Sequence, residues 1–326
     1  MKKILGIGNA LVDALVCIDN EFILNELNLP KGGMTLIDEE TFEKMNRRLK
    51  DLNVERRTGG SAGNALLTVA SLGGRAAFIG KTGHDDNGDF YAKERAGQGV
   101  EPIALFHDSL PTGVATTFIT PDGERTFATY LGATATMEAR ELKQEWFDGA
   151  DYFLVEGYLV QNHDLIDTAI EMAHRAGAKV CLDLASWNIV KEDHDFFEYL
   201  LPKIDIVFAN EEEAHAMTGC TKHDALDALA KSCTTAIVKL GAEGAVAKDG
   251  EQHALASAVK VEQVMDTTGA GDFFAGGFLF RHAQNDALAE CLKTGAACSA
   301  QVIQVLGTKL SDEIWQSLKS EANTTK

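Results

Sequence analysis

Positive charge, proline and cysteine pairs are scarce in this chain. Lysine and arginine number 30 against 49 aspartates and glutamates, giving a formal net charge of −19. That balance argues against a nucleic-acid backbone or an anionic membrane as the main partner, so an anionic substrate would need a local positive site. Only 5 prolines occur, and there is no Pro-rich linker, internal repeat or low-complexity tract. Cys17, Cys181, Cys220, Cys233, Cys291 and Cys298 include no C-x-x-C pair, which suits reduced thiols rather than a disulfide framework. The 9 histidines show no H-E-x-x-H or comparable ligand spacing, so a transition-metal site is unsupported. No apolar stretch reaches membrane-spanning length, and Met1-Lys-Lys-Ile-Leu-Gly-Ile-Gly-Asn9 lacks a secretory h-region. A cytoplasmic protein is the expectation.

What remains is ordinary globular material: 326 residues, 45% hydrophobic and 24% charged, enough to bury a large core. Short apolar strands alternate with helical stretches, which predicts a mainly parallel sheet covered on both faces. Candidate strands are Ile4 to Gly8, Ala76 to Gly80, Tyr152 to Val155, Val180 to Leu184, Ile206 to Phe208 and Ala236 to Lys239. Asn64 to Leu72 and Asp164 to Ala176 read as helices ending near glycine. Residues 11–18, 33–37 and 114–130 break this rhythm, the last as a hairpin closed by Pro121-Asp122-Gly123. They predict a small antiparallel lid sheet on a single domain spanning 1–326. The tail after Leu318 is expected to be disordered.

Three familiar patterns fail. Gly80-Lys81-Thr82 lacks the correctly spaced first glycine of a P-loop, and Gly6-Ile-Gly8-Asn-Ala-Leu11 has Leu where the dinucleotide fingerprint needs glycine. Gly59-Gly-Ser61-Ala-Gly63 fits a nucleophile elbow, but Asn53 to Thr58 is a poor buried strand to precede one.

The most informative stretch is Asp266-Thr-Thr-Gly-Ala-Gly-Asp272. Upstream, Ala258 to Met265 alternates like a strand; downstream, Phe273 to His282 is apolar at helical length. Thr267 to Gly271 is then a strand-to-helix turn whose small residues let backbone N–H groups and the positive helix end approach a phosphate. Asp272 is either a helix-end carboxylate or a catalytic one. Asn210-Glu-Glu-Glu213 follows a strand and can be a helix cap or a Mg2+ site, directly or through water. Lys239-Leu-Gly241-Ala-Glu-Gly244 is a glycine turn between strands that either closes a hairpin or admits a nucleotide.

In this order the segments resemble the ribokinase-like (PfkB) family of carbohydrate and nucleoside kinases over nearly the whole chain. Gly59-Gly60-Ser-Ala-Gly-Asn64 through Gly83-His-Asp85-Asp-Asn-Gly88 looks like its N-terminal signature, and Asp266 to Asp272 like its C-terminal one. The resemblance implies a three-layer α/β/α fold, with a mainly parallel central sheet and a small β-sheet lid, and ATP-dependent phosphoryl transfer. By it, Asp272 is the general base and Gly269, Ala270 and Gly271 form the anion hole. Asn210 and Glu213 influence Mg2+, while Lys239, Gly241 and Gly244 line the nucleotide site. Asp266 matches a position that can help hold a monovalent cation such as K+. Asp13 and Gly60 with Asn64 would clamp sugar hydroxyls, Leu11 would face a base, and Arg125 would reach the phosphates when the lid closes.

The nearest likeness is to the adenosine-kinase-like branch, through Gly8-Asn-Ala-Leu-Val-Asp13, Gly60 to Asn64 and Pro121-Asp-Gly-Glu-Arg125-Thr. Thr268 departs from it: adenosine kinases carry Asn there, and Thr is usual in sugar kinases. The expected acceptor is therefore a nucleoside, adenosine first, with a ribose- or fructose-type sugar as the alternative. A non-catalytic nucleotide- or sugar-binding regulator is the reading from another class. Either a monomer or a homodimer paired through the lid fits the sequence.

Overall fold

The computed structural model describes residues 1–324. Its main sheet has nine strands, in spatial order Gln252–Ala256, Ala245–Asp249, Thr235–Lys239, Ile206–Asn210, Lys179–Asp183, Tyr152–Glu156, Lys3–Ile7, Arg75–Gly83 and Val100–His107. The seven strands from Thr235–Lys239 onward pair in parallel, and the two hairpin strands at the other edge run antiparallel. The central strands are buried along their length, as their unbroken Val, Ile, Leu and Phe content requires when both faces are covered. One core gathers Leu5, Val155, Ile166 and Val207; the other gathers Leu66, Phe208, Phe274 and Phe278.

A second sheet of five strands runs Met34–Leu36, Arg125–Tyr130, Gly113–Ile119, Leu11–Cys17 and Val54–Thr58. It matches the predicted lid segments but is mixed rather than antiparallel. Leu11–Cys17 pairs in parallel with Gly113–Ile119, and Met34–Leu36 with Arg125–Tyr130. Segments brought in from separate places need no tight hairpin between them, so nothing forces the antiparallel sense. Val54–Thr58, too polar for a buried strand, serves here as an edge strand instead. The lid has its own small core, including the Phe42 and Tyr130 rings stacked at 4.3 Å.

Two further expectations are corrected. Ala258 to Met265 forms no strand, and Val259, Val264 and Met265 stay exposed; its alternation marks no buried face. The C-terminal tail is not disordered where described: Asp312–Thr324 is helical, and Leu318 and Ala322 pack against the cluster of Phe273, Phe280 and Val302. Helical spacing of Trp315, Leu318 and Ala322 was masked by the polar residues around them.

Candidate active site

A cavity of about 1440 Å³ lies between the C-terminal ends of the parallel strands and the lid. Single small-molecule sites run to about 300–1,000 Å³, so this one has room for two ligands side by side. It is lined by Asn9, Leu11, Asp13, Gly60 and Asn64 toward the lid, and by Asn210, Glu213, Lys239, Gly241 and Gly244 on the far side. Thr267, Thr268, Gly269, Ala270, Gly271 and Asp272 lie between the two halves.

The Thr267 to Gly271 turn opens the helix Ala270–His282, with Asp272 in its first turn. Gly269 takes a left-handed φ of 77°, and a Cβ there would stand 2.8 Å from Thr308 Cγ2, so glycine is needed on both counts. The first N–H groups of this helix lie at the cavity with the positive end of the helix dipole, and Ala270 N among them donates to the Thr267 carbonyl at 3.2 Å. Asp272 is held from a second helix, Ser61–Ser71. Ser61 Oγ donates to Asp272 Oδ1 at 2.7 Å, and Asn64 Nδ2 donates to Oδ2 at 3.0 Å. Burial raises the Asp272 pKa and these two donors only partly offset it, which moves the carboxylate toward the range useful to a general base.

That helix begins at Gly60, whose left-handed φ of 88° and contact with the Asn9 carbonyl oxygen leave no space for a Cβ. Asn64, expected to clamp a sugar hydroxyl, lines the cavity and also holds groups within the protein. Its Nδ2 serves Asp272, and its Oδ1 accepts from Arg95 Nη2 at 3.1 Å. Asp13 differs. It accepts no hydrogen bond from the protein among the described residues, and burial, opposed by Arg95 and reinforced by Asp272, pushes its pKa up to about 7. An unpartnered carboxylate at a cavity wall is suited to accept from ligand hydroxyls.

Asn210 and Glu213 form a reciprocal cap on the helix Glu211–Thr218: Glu213 N donates to Asn210 Oδ1, while Asn210 N and Nδ2 donate to the two Glu213 oxygens, at 2.7–2.8 Å. The cap reading therefore holds. Glu213 is nonetheless buried at the cavity wall with its pKa raised by that burial, and each oxygen keeps a lone pair for a metal-bound water.

Arg125 and Asp266 are brought together rather than placed in separate roles. Arg125 Nη1 lies 2.6 Å from Asp266 Oδ1, and Nη2 donates to the Met265 carbonyl at 2.7 Å. Asp266 also accepts from Thr268 N and Gly307 N. Burial opposes ionisation of Asp266, but those donors and Arg125 hold its pKa below the ordinary value. Oδ1 is shared by Arg125 and Thr268 N, while Oδ2 accepts from Gly307 N and keeps a lone pair at the position expected to hold a monovalent cation. The lid arginine is turned to this loop and not to the phosphate turn.

Several site residues escaped sequence reasoning. Glu156, 2% exposed, accepts from Asn9 Nδ2 at 2.7 Å and Ala62 N at 3.0 Å, and burial pushes its pKa up to about 7. Arg95 is fully buried and braces both Asn64 and the Gly59 carbonyl. Asp183 pairs with Lys239 at 3.1 Å. Ser61 lay inside two recognised patterns, but the one role considered for it was that of a rejected nucleophile. None of these had a local signal, because each partner is remote in sequence.

Comparison with known proteins agrees with this geometry. Residues 28–315 match the pfkB family carbohydrate kinase description. The chain is similar in structure to adenosine kinase from Sinorhizobium meliloti (TM-score 0.87, 35% identity, covering 98% of this chain and 99% of that one). It is also similar to a probable sugar kinase from Rhizobium etli CFN 42 (TM-score 0.87, 32% identity, 98% of each chain). Adenosine kinase 2 of Arabidopsis thaliana is 27% identical over 93% of this chain and 94% of its own length. The chain belongs to the pfkB family of carbohydrate kinases and is a phosphotransferase.

Proposed function

We propose that this kinase transfers the γ-phosphoryl of ATP, taken as its Mg2+ complex, to the primary hydroxyl of a nucleoside, with adenosine as the first acceptor. The observation that carries the reading is the single cavity in which Asp272, at a glycine-lined helix start, lies between the unpartnered Asp13 carboxylate and the Lys239 side. Asp13 accepts from the vicinal hydroxyls of the ribose. Asp272 accepts the proton of the primary hydroxyl as the new O–P bond forms and the bond from Pγ to the bridging oxygen breaks, releasing ADP. The N–H groups at Gly269 to Gly271 take the charge on the transferring phosphoryl, where positioning and electrostatics supply most of the catalysis. Glu213 is placed to reach the nucleotide's Mg2+ through water, where the ion shields phosphate charge.

The apolar wall beyond Asp13 favours a nucleoside over a free sugar. Leu11, Met34, Leu36, Leu131 and Met137 line it, and Met34 and Leu36 remain 60% and 61% exposed. A planar base would cover them; a free furanose would leave them wet. Thr268, the residue usual in sugar kinases, favours a ribose- or fructose-type sugar as the second reading. We read the chain as a cytoplasmic domain with a lid, either monomeric or dimeric through that lid. Among the described residues no helix is long and apolar enough to cross a membrane.

Comparing kcat/KM across adenosine, other nucleosides, ribose and fructose under ATP-consumption assay tests the acceptor. Adenosine is expected to exceed either sugar by at least about a hundredfold, which a few well-placed contacts to the base can supply. A sugar preferred over every nucleoside would overturn the reading.

A further inference from the structure

We infer that Asp183 is a positioning residue for phosphate recognition, holding Lys239 charged and aimed at the terminal phosphate of the nucleotide. The inference rests on the reading that the phosphates sit on the Gly269 to Gly271 turn.

Asp183 and Lys239 end two strands, Lys179–Asp183 and Thr235–Lys239, that flank Ile206–Asn210 in the sheet. Their side chains meet across that middle strand, Nζ to Oδ2 at 3.1 Å, with Lys239 13% and Asp183 11% exposed. The carboxylate is itself fixed. Its Oδ1 accepts from Ala185 N at 2.9 Å, and Ala185 takes a left-handed φ of 64°, so the chain after the strand bends back onto Asp183. The amine end of Lys239 lies 3.0 Å from where a Cβ on Gly271 would be. It therefore rests directly on the turn proposed to bind the transferring phosphoryl.

The charges around that amine explain why a tether is needed. Asp183 from the sheet, Glu213 from the helix Glu211–Thr218 and Asp272 from the helix Ala270–His282 all face Lys239. Burial alone would lower the lysine pKa, yet Asp183 and Glu213 outweigh it and hold the amine protonated. A polyphosphate entering this corner meets three carboxylates and one cation. An ammonium has three donors; one is spent on Asp183, leaving others for phosphate oxygens. Without Asp183 a buried amine has two alternatives, to lose its proton or to turn toward Glu213, and both take a positive charge off the turn.

The test compares binding of the Mg2+ complexes of β,γ-methylene ATP and of ADP by calorimetry on the full chain, at about pH 7 and about pH 9.5. The ratio of the two affinities isolates the terminal phosphate and needs no acceptor. Lys239→Met is expected to lose the preference for the ATP analogue by about tenfold or more, the scale of a charge-assisted hydrogen bond. Asp183→Asn is expected to weaken the preference at both pH values, and more at about pH 9.5 than at about pH 7, with ADP affinity within about threefold of the parent. Retention of the full preference by Asp183→Asn at both pH values, or equal loss of both nucleotides, would overturn the assignment of Asp183. A Lys239→Met variant with unchanged preference would remove Lys239 from the terminal phosphate. A parent chain that binds neither nucleotide would refute the ATP reading beneath the inference.

Discussion

Asp272 and Asp13 are two half-buried carboxylates with opposite surroundings, and the contrast supports different proposed roles. Asp272 receives donors from Ser61 and Asn64, which fix its direction; Asp13 receives none among the described residues and is left for a ligand. Asp272→Asn removes the proposed base while preserving shape, so kcat should fall at least about a hundredfold with ATP affinity little changed, as measured by steady-state kinetics and calorimetry. Asp13 carries a stability cost. Its pKa in the fold is about 7 against an ordinary 3.8, so the fold favours the neutral form. That contribution is complete below about pH 3.8 and lost as the pH rises through about 7. Asp13→Asn should therefore raise Tm by about 2–4 °C near pH 8, with the gain vanishing near pH 4, while abolishing acceptor binding. Scanning calorimetry across that range checks the sign, and a lower Tm at pH 8 would contradict it.

At the scale of elements, the site depends on how closely two helices approach. Gly276, on the helix Ala270–His282, has no room for a Cβ: it would overlap the Ala65 carbonyl and stand 2.6 Å from Thr68 Cβ on the helix Ser61–Ser71. That contact holds Ser61 and Asn64 over Asp272. Gly276→Ala should cost about 1–3 kcal/mol of stability through overpacking, and should lower kcat more than it raises KM because the base and its donors are pushed apart. Denaturant titration and kinetics on the same variant separate the two effects. Arginines tether the lid, among them Arg125 to Asp266 and Met265, and Arg57 to the Leu306 carbonyl. Arg125→Ala should speed hydrogen exchange at the Thr268 and Gly307 amides by about two- to fivefold, the worth of a partly exposed pair; unchanged exchange would show that the pair carries nothing. Such elements were unevenly legible. The strand-to-helix turn at Thr267 to Gly271 could be read because small residues and an apolar helix announce it. The tie of Arg125 to Asp266 could not, since nothing at either position specifies so remote a partner.

For the whole molecule, alternation of apolar strands and helices predicted the parallel sheet because buried strands must be continuously apolar. The sense of the lid strands was not available from pattern, since period-2 alternation is the same for parallel and antiparallel pairing. Motif residues Asp13, Asn210, Glu213, Lys239 and Asp272 do line one cavity, as their order along the chain implied, whereas Glu156, Arg95 and Asp183 emerged only once the strands were side by side. The proposed function comes down to a single cavity that would bring ATP and a nucleoside together at Asp272. Its most direct test is to incubate ATP and adenosine with the parent chain and with Asp272→Asn and identify the phosphorylated product by phosphorus NMR. Adenosine phosphorylated at its primary hydroxyl is expected from the parent, and no product above background from the variant that still binds ATP. Equal product from both chains, or none from the parent with adenosine beside rapid phosphorylation of a free sugar, would contradict it.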